Sequence, residues 1–360
     1  MTSREKEILY WIEENPLISQ AELAQKANIT RSSVAVHISN LLKKGKIVGK
    51  GYIIQKKSYI SVIGGTNIDI AGIPHGHLRE YDSNPGKVQF SLGGVGRNIA
   101  DNLSRLEQEV ELITVLGDDV YGEEIRRNCR DLGIGINNSL TIQNSVTSSY
   151  LFILDEKKDM RVAIAAMDLY DKMDINFIKS KSEIIEKSKL CIVDTNLPKE
   201  TLEYIVNTFK IPIFVDCVST IKAEKVKGFI GKFHTIKPNK IEAEALSGIK
   251  IVTDEDLIKV TDWFINQGVK QVFISLGEEG VYFANKDIRQ KLPSLKAKVV
   301  NTTGAGDAFM AGIAYSFMND EDILQSCKNG IAAATIAISS EDTINKNMSI
   351  NNINIIQEGN

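Results

Sequence analysis

From about residue 58 to about residue 345, short apolar runs alternate with amphipathic stretches, and no other feature narrows the possible folds as far. The runs are "SYISVIGG", "VELITVLG", "KLCIVDTN", "IPIFVDCV", "FHTIKPN" and "QVFISLG". Between most of them lie helical patterns such as "NIADNLSRL", "KETLEYIVNTF", "IEAEALSG" and "DEDLIKVTDWFINQG". Short, uniformly apolar strands separated by helices predict an α/β fold: a mostly parallel sheet flanked by helices on both faces. In such sheets ligands sit at the carboxyl ends of the strands. Two stretches break the alternation, "GIPHGHLREYDSNPGKVQF" and "NSVTSSYLFILDEKKDMRVAIAA". The second reads as a β-hairpin with a charged turn at Asp155–Asp159, so a small β lid outside the main sheet is expected, over about 71–91 and 146–166.

The first 57 residues have a different texture. They hold ten Lys/Arg against five Asp/Glu, a net of +5, whereas the remaining residues sum to −8. Opposite signs in two parts of one chain suggest two jobs. Ile8, Leu9 and Ile12 recur at helical spacing; Ser19 with Glu22 is a capping pair opening a second helix; "TRSSVAVHISNLLKKG" supplies a third, stopped by Gly45. "KIVGKGYIIQ" then predicts two short strands around Gly49-Lys50-Gly51. Three helices and a basic wing resemble a winged helix-turn-helix over residues 1–57, with the second domain occupying 58–360. In such modules the third helix enters the major groove, making Arg31, Ser32, Ser33 and His37 candidate base-side contacts. Lys43, Lys44, Lys46 and Lys50 are candidate phosphate contacts. The competing reading is a protein-interaction or dimerisation module with a solvated basic face.

No apolar run approaches the roughly 18–20 residues of a membrane span. The N-terminal segment has no signal-peptide pattern, and the four cysteines (129, 191, 217, 327) form no CxxC pair. A disulfide framework or structural zinc site is therefore not expected, and a reducing cytoplasmic setting fits.

Five motifs carry candidate chemistry. "GGTNIDI" puts Asn67 and Asp69 two apart, on one face of an extended segment, where amide and carboxylate together can hold vicinal hydroxyls; an Asx-turn is the alternative. "SLGGVGRNIADNL" offers Gly93, Gly94 and Asn98 at a helix start, with a spacing unlike the dinucleotide-binding fingerprint. In "KPNKIEAEALSG", Asn239 and Glu242 sit at i, i+3, suited either to hold water around Mg²⁺ or to form a capping pair. "ISLGEEGVYF" places Ser275 and Gly277 after a strand, as a plain hairpin or a loop under a nucleotide. "NTTGAGDAFMAG" sets Gly304, Ala305 and Gly306 before Asp307 at a helix N-terminus, whose free N–H groups suit an anion.

The order of these motifs resembles the ribokinase (PfkB) family of carbohydrate and nucleoside kinases, over roughly residues 58–345. "DSNPGKVQFSLGGVGRNIADNL", "TIKPNKIEAEALSGI" and "SSEDTINKNMSI" look, within that family, like bacterial pseudouridine kinases. The resemblance implies ATP-dependent phosphorylation of the 5′-hydroxyl of pseudouridine or a related nucleoside. It implies Asp307 as the base and Gly304, Ala305 and Gly306 as the anion hole. Asn67, Asp69, Gly93, Gly94 and Asn98 would grip the ribose, and lid residues Asp82, Lys87, Ser149 and Tyr150 would cover the sugar and read the base. Asn196, Asn239, Glu242, Ser275 and Gly277 would lie on the ATP and Mg²⁺ side, the metal held through water near Glu242 with no direct protein ligand. A homodimer through the lids is implied as well. Asn301 stands where many members of the family carry Asp near a monovalent cation, which puts potassium activation in doubt. The alternatives are another nucleoside or sugar kinase of this family, or a ligand-sensing transcription regulator built on a kinase-like domain.

Overall fold

The computed structural model describes residues 1–47, 58–157 and 159–359. Of the expected wing, Lys46 and Ile47 are described, Ile47 in the small core of the first unit; the rest, Lys50 included, lies outside the described residues. The chain divides into two compact units, Met1–Ser58 and Tyr59–Asn360.

In the first unit, α1 (Ser3–Glu14), α2 (Gln20–Ala27) and α3 (Arg31–Lys43) enclose a small core of Ile8, Ile12, Leu23, Val34, Ile38 and Leu41. Thr2 with Glu5, and Ser19 with Glu22, form reciprocal capping boxes that satisfy first-turn N–H groups of α1 and α2. Asn28 ends α2 in the left-handed region at φ 51°, which Asn tolerates.

The second unit opens with β1 (Tyr59–Ile63), β2 (Asn67–Pro74), β3 (Gly86–Gly93) and α4 (Val95–Arg105). β4 (Glu109–Ile113), β5 (Val115–Gly117), α5 (Val120–Leu132), β6 (Leu140–Ile142), β7 (Ser149–Leu154) and β8 (Met160–Ala166) follow. Next come α6 (Ile175–Ser180), α7 (Ser182–Glu186), β9 (Leu190–Asp194), α8 (Lys199–Thr208), β10 (Ile213–Asp216), α9 (Thr220–Ala223), β11 (Thr235–Lys237) and α10 (Lys240–Ser247). The unit closes with α11 (Asp254–Gln267), β12 (Gln271–Ser275), β13 (Val281–Ala284), β14 (Arg289–Leu292), α12 (Ala305–Met318), α13 (Ile323–Ile338) and α14 (Ile350–Glu358).

The main sheet has eight strands in the order β14-β13-β12-β11-β10-β9-β1-β4. β4 through β12 run parallel and the edge hairpins of β13 and β14 antiparallel, so the sheet is mixed. Alternation along each strand feeds two cores. Leu190 and Ile192 of β9 face α4, α12 and α13, while Cys191 and Val193 face α8, α10 and α11. The chain leaves β1 toward β4 on one side and β9 on the other, so the strand order reverses at β1, where open α/β sheets bind their ligands.

The run "VELITVLG" is two strands, not one. Thr114 donates its N–H to Ser139 Oγ at 3.0 Å, which turns β5 out of the main sheet to pair with β6. Both stretches that broke the alternation enter one separate four-stranded sheet, β3-β2-β7-β8. It begins at Asn67, earlier than the lid expected from about residue 71, because β2 continues straight into it.

Candidate active site

β9, β10 and β11 each end in a charged residue, Asp194, Asp216 and Lys237, at the carboxyl edge of the sheet. All three are buried. Lys237 Nζ lies 3.1 Å from Asp216 Oδ2, an ion pair with both side chains under a tenth exposed. Asp194 acts as a tie: its Oδ2 accepts the N–H groups of Gly65 (2.7 Å) and Gly96 (3.0 Å), and Oδ1 that of Asn196 (2.9 Å). It thereby fixes the turn after β1 against the start of α4. Burial pushes Asp194 up to about 6, against those N–H groups.

Asp307 lies in the first turn of α12, with its carboxylate over this edge. Gly304 caps the helix in the left-handed region at φ 81°, and a Cβ there would meet the Thr343 carbonyl oxygen at 2.4 Å. Only glycine fits both constraints. First-turn N–H groups lack intrahelical partners; that of Ala305 reaches Thr302 O only at 3.4 Å, and those of Gly306 and Asp307 have no partner among the described residues. Lys237 Nζ stands 3.0 Å from where a Gly306 side chain would begin, adding a fixed positive charge below that helix end. A helix N-terminus and a buried ammonium together form an anion cradle. Asp307 itself is pushed up to about 8, by burial first and then by the Asp216 carboxylate, while the amide of Asn98 and Lys237 act the other way.

A second polar cluster forms where the lid joins the sheet. Asn67 Nδ2 donates to Asp69 Oδ1 at 2.6 Å, so the two share a face as the spacing required. Gly93 pairs with Asn67 across β2 and β3. Gly94 is forced: φ is 97°, and a Cβ would lie 2.4 Å from Gly65 O. Asn98 Nδ2 then donates to Asp307 Oδ2 at 2.8 Å, joining this cluster to the helix cradle. Asp69 is raised by burial, with Asn67 and the Arg97 charge opposing.

Asn239 and Glu242 form the capping alternative: Asn239 N donates to Glu242 Oε2 (2.8 Å) and Glu242 N to Asn239 Oδ1 (2.9 Å). Glu242 is also buried and raised, burial being the main cause; its Oε1 has no hydrogen-bond partner among the described residues and remains available to a hydrated cation. Ser275 bridges to Asn239, its N–H on Pro238 O at 3.0 Å, and Gly277 follows in the turn to β13, which pairs antiparallel with β12. Asn196 Oδ1 accepts from Lys222 Nζ at 2.6 Å. Among the described residues no group of three or more His, Cys, Asp or Glu could hold a metal.

The lid residues do not gather as one set. Tyr150 pairs with Asp69 and shares its face, whereas Ser149 pairs with Ile68 on the opposite face. Lys87 is exposed near the far end of β3, opposite Ile73. Asp82 lies in the exposed excursion between β2 and β3, its Oδ1 taking the N–H of Ser83 at 2.7 Å. In the first unit, Arg31 and Ser32 are exposed and Ser33 and His37 half-buried on α3. Lys43 is exposed, but Lys44 Nζ pairs with the buried Glu5 at 2.6 Å, a structural tie between α1 and α3.

Asp194, Asp216 and Lys237 went unnoticed in the sequence. Their signal was there: "IVD", "FVD" and "TIK" each close an apolar run on a charge, an awkward residue for a buried strand end unless it serves a site.

Comparison with known proteins adds the family. Residues 57–350 match the pfkB family carbohydrate kinase model, and residues 1–48 match a winged helix-turn-helix DNA-binding model. The chain is 37% identical over 354 residues to the "uncharacterized sugar kinase YeiI" of Escherichia coli (strain K12), covering 98% of both chains. It is also 37% identical over 302 residues to the pseudouridine kinase of the same strain, covering 83% of this chain and 96% of that one. A carbohydrate kinase structure from Agrobacterium tumefaciens superposes with a TM-score of 0.75 at 28% identity, over 84% of this chain and 97% of that one.

Proposed function

This chain belongs to the pfkB carbohydrate kinase family, phosphotransferases with an alcohol acceptor, and from that premise we propose that it transfers the γ-phosphoryl group of ATP to the 5′-hydroxyl of pseudouridine. The observation that carries the reading is the Asn98–Asp307 hydrogen bond across the anion cradle, which sets a base beside the place where negative charge develops. Phosphoryl transfer asks the protein chiefly for positioning and charge stabilisation. Asp307 takes the proton of the attacking hydroxyl. The first-turn N–H groups of α12, with Lys237 beneath them, hold the transferring phosphoryl group. Asn67 and Asp69 hold the ribose hydroxyls. Glu242 and Asn239 face the nucleotide phosphates, with Asn196, Ser275 and Gly277 at the nucleotide's edge. A bound Mg²⁺ would supply further neutralisation of phosphate charge, through water near Glu242.

Support for a nucleoside acceptor comes from the lid register. On the Asp69 face the next row along β3-β2-β7 is Gln89, Ala71 and Phe152, roughly 6.5–7 Å further on. A base attached to a ribose held at Asp69 would lie over the small Ala71, between the Gln89 amide and the Phe152 ring. The opposite face exposes Val88, Phe90, Val162 and Ile164, an apolar surface suited to a second lid in a homodimer. Asn301 Nδ2 donates to Glu341 O at 3.0 Å, joining by an amide N–H what a carboxylate would need a cation to join. That supports activity without a monovalent cation. The N-terminal unit adds DNA binding as a second role.

The reading is tested by ADP release from Mg-ATP by the full-length protein, with pseudouridine, uridine, cytidine, inosine, adenosine and ribose as acceptors. Pseudouridine should exceed the others by at least tenfold in kcat/KM, about 1.4 kcal/mol of discrimination. A better acceptor elsewhere in the panel would retain the mechanism and reject the substrate; no turnover with any would turn attention to a ligand sensor.

A further inference from the structure

Beside Asn98 lies a buried arginine that the mechanism above does not use. Arg97 is 4% exposed. Its Nη2 donates to Asp101 Oδ2 at 2.6 Å and to Asn128 Oδ1 at 2.8 Å, and its Nη1 donates to Asn98 Oδ1 at 3.2 Å. Successive side chains on a helix diverge by about 100°, so an arginine meeting its own neighbour has been turned back onto it. Asp101 and Asn128, on α4 and α5, hold it there. Arginine has donors and no acceptor. The Asn98 carbonyl must therefore face Arg97, and the Asn98 NH₂ is left facing Asp307.

We propose that Arg97 is a positioning residue that locks the Asn98 amide, so that an N–H and not a carbonyl oxygen meets the base. The inference rests on Asp307 being that base. With the amide flipped, two acceptors would oppose each other unless Asp307 carried a proton, and a protonated Asp307 cannot accept one from the substrate. Arg97 thus biases the base toward its working state without touching the substrate. The other charged groups facing Asp307 are Asp194, Asp216 and Lys237, from the ends of β9, β10 and β11, and the Arg97 variants leave all three in place.

The test is the pH dependence of kcat in the full-length protein at saturating Mg-ATP and the best acceptor of the panel. Arg97→Met, Arg97→Lys, Asn98→Ala and the Arg97→Lys/Asn98→Ala pair are compared, with thermal melts to confirm folding. Arg97→Lys keeps a charge opposite Asp101 and so guards against a variant that merely unfolds. Arg97→Met should move the acid limb upward by about one pH unit, roughly a tenfold loss below it and little above it. Arg97→Lys should recover part of that shift, and KM for ATP should stay unchanged. On the Asn98→Ala background, Arg97→Lys should add no further shift. Loss by one factor at every pH, or the same shift with and without Asn98, would overturn the proposal. Asp307→Asn turning over at near wild-type rate would sink the base assignment itself, whereas an inactive Asp307→Asn with pH-independent Arg97 effects rejects only the lock.

Discussion

Asp307 illustrates how a buried carboxylate opposes folding. Its carboxyl has an ordinary value near 3.8 and is raised to about 8 in the folded chain. Folding therefore favours the protonated form: that stabilisation is complete below about pH 4 and is lost as the pH rises through 8. Asp307→Asn is neutral throughout and keeps a partner for Asn98. We expect its melting temperature to exceed that of the wild type, by a margin that widens from pH 5 to pH 8.5. Its turnover should fall by about 10²–10⁴-fold, the usual worth of a general base. A margin that narrows with pH would contradict the buried-acid account. Asn301 gives a second residue-scale prediction. Turnover should be the same in sodium-free, potassium-free buffer as in potassium, and Asn301→Asp should make it potassium-dependent, because a carboxylate facing the Glu341 carbonyl lacks a donor. "NTTGAGD" and "GGTNIDI" stood out as candidate sites only through their order among the five motifs, since a helix start or an Asx-turn explains each alone. Arg97 was not legible, since nothing in the order of residues says that its side chain turns back onto Asn98.

At the scale of elements, the site is an assembly of chain ends: the carboxyl ends of β1, β9, β10 and β11 and the amino ends of α4, α10 and α12. Helix starts announce themselves in sequence through caps. Asn239 with Glu242 is such a cap, and the structure shows that this role and a place beside Lys237 coexist in one residue pair. Gly304 is the cap with least tolerance. Gly304→Ala should destabilise the protein by more than the roughly 1 kcal/mol of a left-handed alanine, because its Cβ also meets the Thr343 carbonyl. We expect a clear fall in urea midpoint together with a lowered kcat; an unchanged midpoint would show that the α12 start can be rebuilt. The lid was legible only as a gap in the α/β rhythm. Its register, which puts Tyr150 with Asp69 and turns Ser149 away, depends on strand pairing between residues eighty positions apart.

For the whole molecule, the opposed charges of the two units lead to a prediction about DNA. Full-length protein should bind duplex DNA from its own upstream region with an affinity that falls steeply with salt, and Lys43→Ala should reduce the slope of log K against log salt by about one. Lys44→Ala should lower the melting temperature instead, since it strands the buried Glu5. Equal effects of the two on the salt slope would return Lys44 to the phosphate contacts. By itself the sequence determined the class of fold, the division into a basic and an acidic unit, and the identity of the helix-start motifs. Each of these follows from local periodicity, composition or backbone permissiveness, which act over a few residues. Only the tertiary structure decided which charges face Asp307, that Asp194 ties β1 to α4, and which lid face carries Asp69 and Tyr150. Those facts depend on the order and register of strands, set by burial of two cores distributed along the whole unit, and no local pattern encodes them.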